Sequence, residues 1–243
     1  MQSAYDRRVL RHLPVALLLL AMTACGATAP HSVPPPVSAH PSTASSERTA
    51  SPSSGPDTEQ VTVTASGVGA YDLQAYPVAV LHNQASTHDA TEVVVSFTVH
   101  FPGGTDSLAA EPVSLAPAET LAVTALCTDS CAGATSTDVS VAVGGWEAGD
   151  RTVISATSAV YACGSPCAGT TGYQGDVSGT LNGQMPSGSQ VSVSAACEDG
   201  AGAIVGGGLR EAVWPGGTSL ASSVPVLVSA HPAACQLYAT EVS

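Results

Sequence analysis

Between residues 58 and 243 the chain carries six cysteines and four histidines, the side chains best suited to bind a metal, pass electrons or attack a substrate. Four of the cysteines form two C-x3-C loops, Cys127-Thr128-Asp129-Ser130-Cys131 and Cys163-Gly164-Ser165-Pro166-Cys167. Zinc sites use thiolates two to four residues apart, and close thiol pairs also serve as redox couples, so both chemistries are open to these loops. The competing chemistry is the disulfide. An even number of cysteines in a chain bound for an oxidising compartment favours bridges, because exported thiols tend to oxidise before they capture zinc. Each loop can close on itself, or the two can be cross-linked to each other. Turn-forming residues between the cysteines favour local closure, worth ~2 kcal/mol for a loop of five in the chain-entropy model.

The histidines His82, His88, His100 and His231, with Asp89 beside His88, fall into no ligand or triad pattern. His100 stands on the polar side of an alternating segment, while His88 and His231 read as turn residues. Met185 is the one thioether of this region that soft copper could use. There is no Gly-x-Ser-x-Gly elbow and no histidine pair at helical spacing. Gly206-Gly207-Gly208 reads as a loop, since no strand-to-helix transition surrounds it to make a phosphate cradle. The expectation is a non-enzyme with no catalytic residue, metal or cofactor. Trp146 and Trp214 are the aromatic candidates for binding, although Trp214, directly before Pro215, is better placed to pack on the edge of a fold.

Cys25 belongs to a different chemistry. Arg7, Arg8 and Arg11 precede an apolar run from Leu13 to Met22, which has the order of a secretory signal. Ten residues are too few to span a bilayer, which takes about 20. The run ends in Met22-Thr23-Ala24-Cys25, which resembles the lipobox of bacterial lipoproteins, with Met22 where an aliphatic residue is more usual. The resemblance implies a signal peptide over residues 1–24, cleavage before Cys25, and a diacylglyceryl group on its sulfur, with palmitate-like chains. Such a protein sits on the outer face of the cell membrane with its domains outside the cytoplasm. Two acyl chains are enough for a stable anchor. Arg7-Arg8-Val9-Leu10-Arg11 also resembles a twin-arginine export signal, so general and twin-arginine export both remain open.

Removing residues 1–24 takes away three of the six arginines and only one of the 19 acids, leaving a net charge of about −15. The chain has no lysine, and Arg48, Arg151 and Arg210 are scattered. No basic patch can be assembled from them, which excludes nucleic-acid binding by phosphate neutralisation and disfavours direct contact with an anionic membrane. The abundance of Ala, Gly, Val and Thr is similar to that of high-GC actinobacterial proteins.

The segment from Gly26 to about Gln60 is rich in Pro, Ser, Thr and Ala and has no apolar periodicity. It cannot bury enough apolar surface to offset its ordering entropy, so residues 25–57 are expected to form a disordered tether. His31 and His40 lie within it as solvated side chains. Its reach is roughly 30 Å as a coil and roughly 100 Å extended.

Beyond the tether the sequence repeats itself. Val93–Val99 aligns with Val191–Cys197, Pro117 with Pro215, Thr120 with Thr218, and Val139–Val143 with Leu237–Glu241, all at an offset of 98. Upstream, Val61–Thr64 meets Val160–Cys163 and Asn83 meets Asn182 at an offset of 99. Such a constant offset implies duplication. Both halves alternate Val- and Thr-rich segments with turns such as Pro102-Gly103-Gly104 and Asn182-Gly183, and no segment keeps a helical period. The predicted fold is all-β, with two tandem immunoglobulin-like β-sandwich domains over residues 58–147 and 152–243. The alignment sets Cys197 and Cys235 against Val99 and Thr137 on strands expected to be neighbours, which makes them the easiest disulfide pair.

Asn83 ends one strand, Phe97-Thr98-Val99-His100-Phe101 lies on the next, and Pro117-Ala118-Glu119-Thr120 turns into a third. That order resembles the FxLYD domains of bacterial surface proteins and lipoproteins over residues 76–126, and more loosely over 174–228, although neither half contains the Phe-x-Leu-Tyr-Asp signature. The resemblance implies an adhesive or interaction module. The functional expectation is a lipid-anchored, non-catalytic binding module that engages an envelope protein or cell-wall component, in an unspecified oligomeric state. The alternative is a thiol-based redox or metal-binding protein using the two C-x3-C loops.

Overall fold

The computed structural model describes residues 57–128, 131–164 and 172–242. The expected signal peptide, Cys25 and nearly all of the expected tether lie outside them. The described part is all-β and belongs to one compact unit. The first half contributes β1 (Val61–Tyr71), β2 (Gln74–Asn83), β3 (His88–Phe101), β4 (Gly104–Ala109), β5 (Val113–Leu115), β6 (Thr120–Thr124), β7 (Ser136–Ala142) and β8 (Gly145–Ala148). The second contributes β9 (Ser155–Cys163), β10 (Tyr173–Asn182), β11 (Gln190–Glu198), β12 (Ile204–Val213), β13 (Ser219–Val228) and β14 (Ala234–Glu241).

Alternation dictates the faces. In β3, Val93, Val95, Phe97 and Val99 are buried, while Ser96 is exposed and Thr98 and His100 are half-buried. This is the period of two that a strand with one apolar face must show. Those residues pack against Leu81, Leu121 and Val123 of the facing sheet, forming the core of the first half.

The strand order repeats between the halves. The first has β1-β2-β6 in one sheet and β4-β3-β7 in the other. The second has the equivalent runs β9-β10-β13 and β12-β11-β14. The register agrees where the sequence alignment is strongest, since Val99 lies opposite Thr137 and Cys197 lies opposite Cys235. It agrees less well upstream. Asn83 faces Val61 whereas Asn182 faces Ser155, so β1 and β9 are equivalent strands whose residues are shifted relative to the sequence match.

In the second half β12 also pairs with β13, through Gly206–Val228 and Gly207–Leu227, which joins the two runs into one six-stranded sheet. Ile154 bridges Ala239, drawing the β9 end of that sheet toward β14 at its other end. The sheet therefore curls around its own apolar face. Val177, Leu181, Val193, Trp214, Val226 and Leu237 fill the inside.

The halves meet through a smaller cluster of Val78, Val80, Ala122, Ala196 and Ile204. This contact corrects the reading of Gly206-Gly207-Gly208, which lie in β12 and are buried, not in a loop. A Cβ on Gly69 of β1 would come within 1.8 Å of the Leu227 carbonyl oxygen, and one on Gly67 within 2.2 Å of that of Ile204. Across the same contact, a Cβ on Gly206 would approach the Gly69 Cα to 2.9 Å. Glycine here allows one backbone to lie directly against another, which any side chain would prevent.

The turn ahead of β6 explains the sequence order Asn, then Pro-x-x-Thr. The Asn83 amide is fully buried and donates to the carbonyls of Ala116 (2.9 Å), Leu115 (3.2 Å) and His88 (2.9 Å), while its Oδ1 accepts from the Ala85 N–H. The Glu119 carboxylate accepts from the Ala116 N–H, and Ala118 takes a positive φ of 56° to close the turn. The second half secures its equivalent turn differently. Trp214 Nε1 donates to the Gly217 carbonyl, and Gly216 and Gly217 supply the positive φ angles.

Candidate functional site

All five cysteines among the described residues are in bridges. Cys127 and Cys131 are joined, closing the first C-x3-C loop locally. Cys197 and Cys235 are joined across the β11–β14 pair, with Cα atoms 4.1 Å apart. Cys163 is also disulfide-bonded, and Cys167 lies outside the described residues. Asp106 Oδ2 comes within 3.8 Å of Cys127 Sγ, so Asp106, Cys127 and Cys131 converge like a ligand set. With both sulfurs bonded to each other, that group offers no thiolate to a metal.

The structure packs both aromatic candidates on a core, one fully and one in part. Trp214 is fully buried inside the curled sheet, so it packs and presents nothing to a partner. Trp146 is half-buried, lies opposite Ala90 in the β3–β8 pair, and packs on the core of the first half. The histidines do not converge. His82 Nδ1 is 3.1 Å from Thr120 Oγ1, His100 Nε2 pairs with Asp138 at 2.8 Å, and exposed His231 lies edge-on to Tyr161 and Tyr173. His88 begins β3 and does not sit in a turn, because pairing with β8 extends the strand to it.

His88 belongs to a latch around Asp57. The Asp57 carboxylate accepts from the backbone N–H of Ser86 (2.6 Å) and Thr87 (3.2 Å), from both hydroxyls, and lies 2.9 Å from His88 Nδ1. These donors, led by the Ser86 N–H, hold the Asp57 carboxyl far below the usual carboxylate range. A carboxylate so stabilised is a poor base, which argues for attachment and against catalysis. Its contribution to fastening the chain here is present above the ordinary carboxylate range, and it is lost only as pH falls into strong acid. The latch fixes the point where the expected tether enters the fold.

A second acidic group sits where the halves join. Asp89 is buried, accepts from the Asp150 N–H through Oδ2, and leaves Oδ1 without a partner. Burial pushes the neighbouring Glu119 carboxyl upward, opposed by its bond from Ala116 and by the Arg151 guanidinium, with the Asp89 charge adding to the rise. Two carboxyls near one arginine form a junction between β3, the β6 turn and the connector to β9.

A groove of about 360 Å³ lies between the halves. Val113, Leu209 and Val242 line it with apolar surface, and Glu111, Glu211 and Glu241 stand exposed among its walls. None of the ion pairs among the described residues involves these glutamates. Four consecutive residues of β6, Leu121 to Thr124, all line the groove. Successive side chains of a strand point to opposite faces, so a groove that touches all four runs along the strand's edge and not across a face. Sequence reading missed these residues, because a cleft assembled from the β4–β5 connection, β6, β11, β12 and β14 leaves no local pattern. The one available signal was the set of glutamates in a chain without lysine.

The fold and the cleft define an all-β protein of packed, sandwich-type sheets. No protein-family model, curated protein or solved structure matches the chain.

Proposed function

We propose that this is an exported lipoprotein held on the outer face of the cell membrane by a diacylglyceryl group on Cys25. Its β-sheet unit is a non-catalytic binding module, carried on the tether of residues 25–57, for an envelope protein or cell-wall component. The observation that carries the reading is Met22-Thr23-Ala24-Cys25 at the end of a basic and then apolar N-terminus. The bridges at Cys127–Cys131 and Cys197–Cys235, together with bonded Cys163, fit the oxidising compartment this implies. The scattered histidines and the acceptor-saturated Asp57 favour binding over catalysis.

Thiol counting on the full chain, purified without reductant and denatured before labelling, tests the module against its thiol-based alternative. The expected result is no labelled cysteine, with Cys25 alkylated by lipid and the other six oxidised. One or more labelled thiols per chain would reopen redox or metal chemistry at the C-x3-C loops.

A further inference from the structure

We propose that Arg210 is an edge guard, whose guanidinium crosses the open seam between β12 and β13 and keeps a second copy of this chain from adding a strand there. The two strands pair only through Gly206–Val228 and Gly207–Leu227. Beyond that point β12 stays paired with β11 and β13 with β10, which leaves each strand one unpaired edge. A groove of about 480 Å³ lies between those edges, with Arg210, Ala212 and Val213 on one side and Leu220 and Ala221 on the other. Trp214 donates its N–H to the Ser189 carbonyl and accepts from the Gly188 N–H, so its backbone is turned toward β11. Alternation then turns the backbone groups of Glu211 and Val213 the other way, into the seam, and both residues are exposed. On β13 the Pro225 carbonyl faces β12, since a Cβ on Gly208 would meet it at 1.9 Å. Ser223, two residues earlier, faces the same way.

An exposed strand edge is a template for pairing with another chain, and proteins blunt it with proline and with charged side chains that point inward. Both devices stand on this seam. Pro225 has no N–H with which to carry the ladder past Gly207–Leu227. Trp214 and Ala212 pack on the core of the curled sheet, and Arg210, at the same spacing of two, stands on their side of β12. From there its Nη1 donates to the Ser223 carbonyl at 2.9 Å, occupying an acceptor that an added strand would use. The chain has no lysine, and beyond residue 24 only Arg48, Arg151 and Arg210 are basic, so one of three cations is placed here. Register names the excluded partner. If β12 met its own copy antiparallel, the registers centred on the strand would set Arg210 against Arg210 or Glu211 against Glu211, and like charges directly opposite are destabilising.

The test uses the full chain in detergent with its disulfides intact, reading association by native mass spectrometry and strand pairing by hydrogen–deuterium exchange. The parent and Arg210→Lys, which keeps the inward charge, should stay monomeric. So should Gln174→Val, which adds an apolar side chain at an exposed position of β10, away from the seam. Arg210→Val should tighten self-association about tenfold, the scale of one regained hydrogen bond and one improved cross-strand pair. Arg210→Thr should act in the same direction. In the associated state the amides of Glu211 and Val213 should exchange more slowly than in the parent. Failure of both substitutions to promote association, or association without protection of those amides, would overturn the proposal. A parent already associated through a protected seam would do the same, as would equal association of Gln174→Val. Arg210 is exposed, so neither substitution opens the core. Loss of the fold in both variants would make Arg210 a structural tie and would also overturn the guarding role.

Discussion

Gly69→Val is expected to cost about 3 kcal/mol or more, lowering the melting temperature by about 6–12 °C in a unit of this size. A Cβ at Gly69 would lie 1.8 Å from the Leu227 carbonyl oxygen and 2.7 Å from the Gly206 Cα. Both obstacles are backbone, so no rotamer change relieves the clash. The strand must move, opening the contact between the halves that Val78, Ala122, Ala196 and Ile204 also form. Gly200→Val is the control, because nothing lies within 4 Å of a Cβ there, and its melting temperature should stay close to the parent value. Equal melting of the parent and Gly69→Val, by calorimetry, would show that β1 does not lie against β12 and β13.

The second large effect is expected at the Cys197–Cys235 bridge. It closes a loop with a sequence separation of 38, whereas Cys127–Cys131 closes one of 4. The chain-entropy model assigns ~4 kcal/mol to the longer loop and ~2 kcal/mol to the shorter. Burial does not separate the pairs, since Cys127 and Cys131 are as buried in the first core as Cys197 is in the curled sheet, so loop length sets the difference. Both double substitutions put hydroxyls into a core, and Cys197→Ser/Cys235→Ser also releases the longer loop. Denaturant unfolding should therefore show a clearly larger loss for this pair than for Cys127→Ser/Cys131→Ser. The reverse order would mean that the short loop, and not the β11–β14 staple, holds the unit together.

These positions show what the sequence could and could not disclose. Cys197 and Cys235 were legible because duplication set them against Val99 and Thr137, and neighbouring strands keep their register through a repeat. The buried face of β3 was legible because alternation is a local property. Gly206-Gly207-Gly208 was not, since three glycines are ordinary loop chemistry until another backbone is brought against them. That requirement is set by β1, more than 130 residues earlier in the chain. His88 was misread for a related reason, as its strand character depends on pairing with β8. The groove was invisible for the same cause in stronger form. Glu111, Glu211 and Glu241 come to line one groove only after five separate segments have been placed, and nothing near any one of them in the sequence marks it as part of a cleft. Cys25 is the opposite case, legible from the four residues that end at it.

That cysteine also supplies the most direct measurement. Arg48 is the first basic residue after position 24, so trypsin should release the mature N-terminus as a single peptide covering residues 25–48. Mass analysis of the protein from membranes should find this peptide beginning at Cys25 with a diacylglyceryl group on its sulfur. A peptide beginning at Gly26, an unmodified Cys25, or a chain that keeps residues 1–24 would contradict the lipid anchor, and with it the placement of the binding module outside the cell.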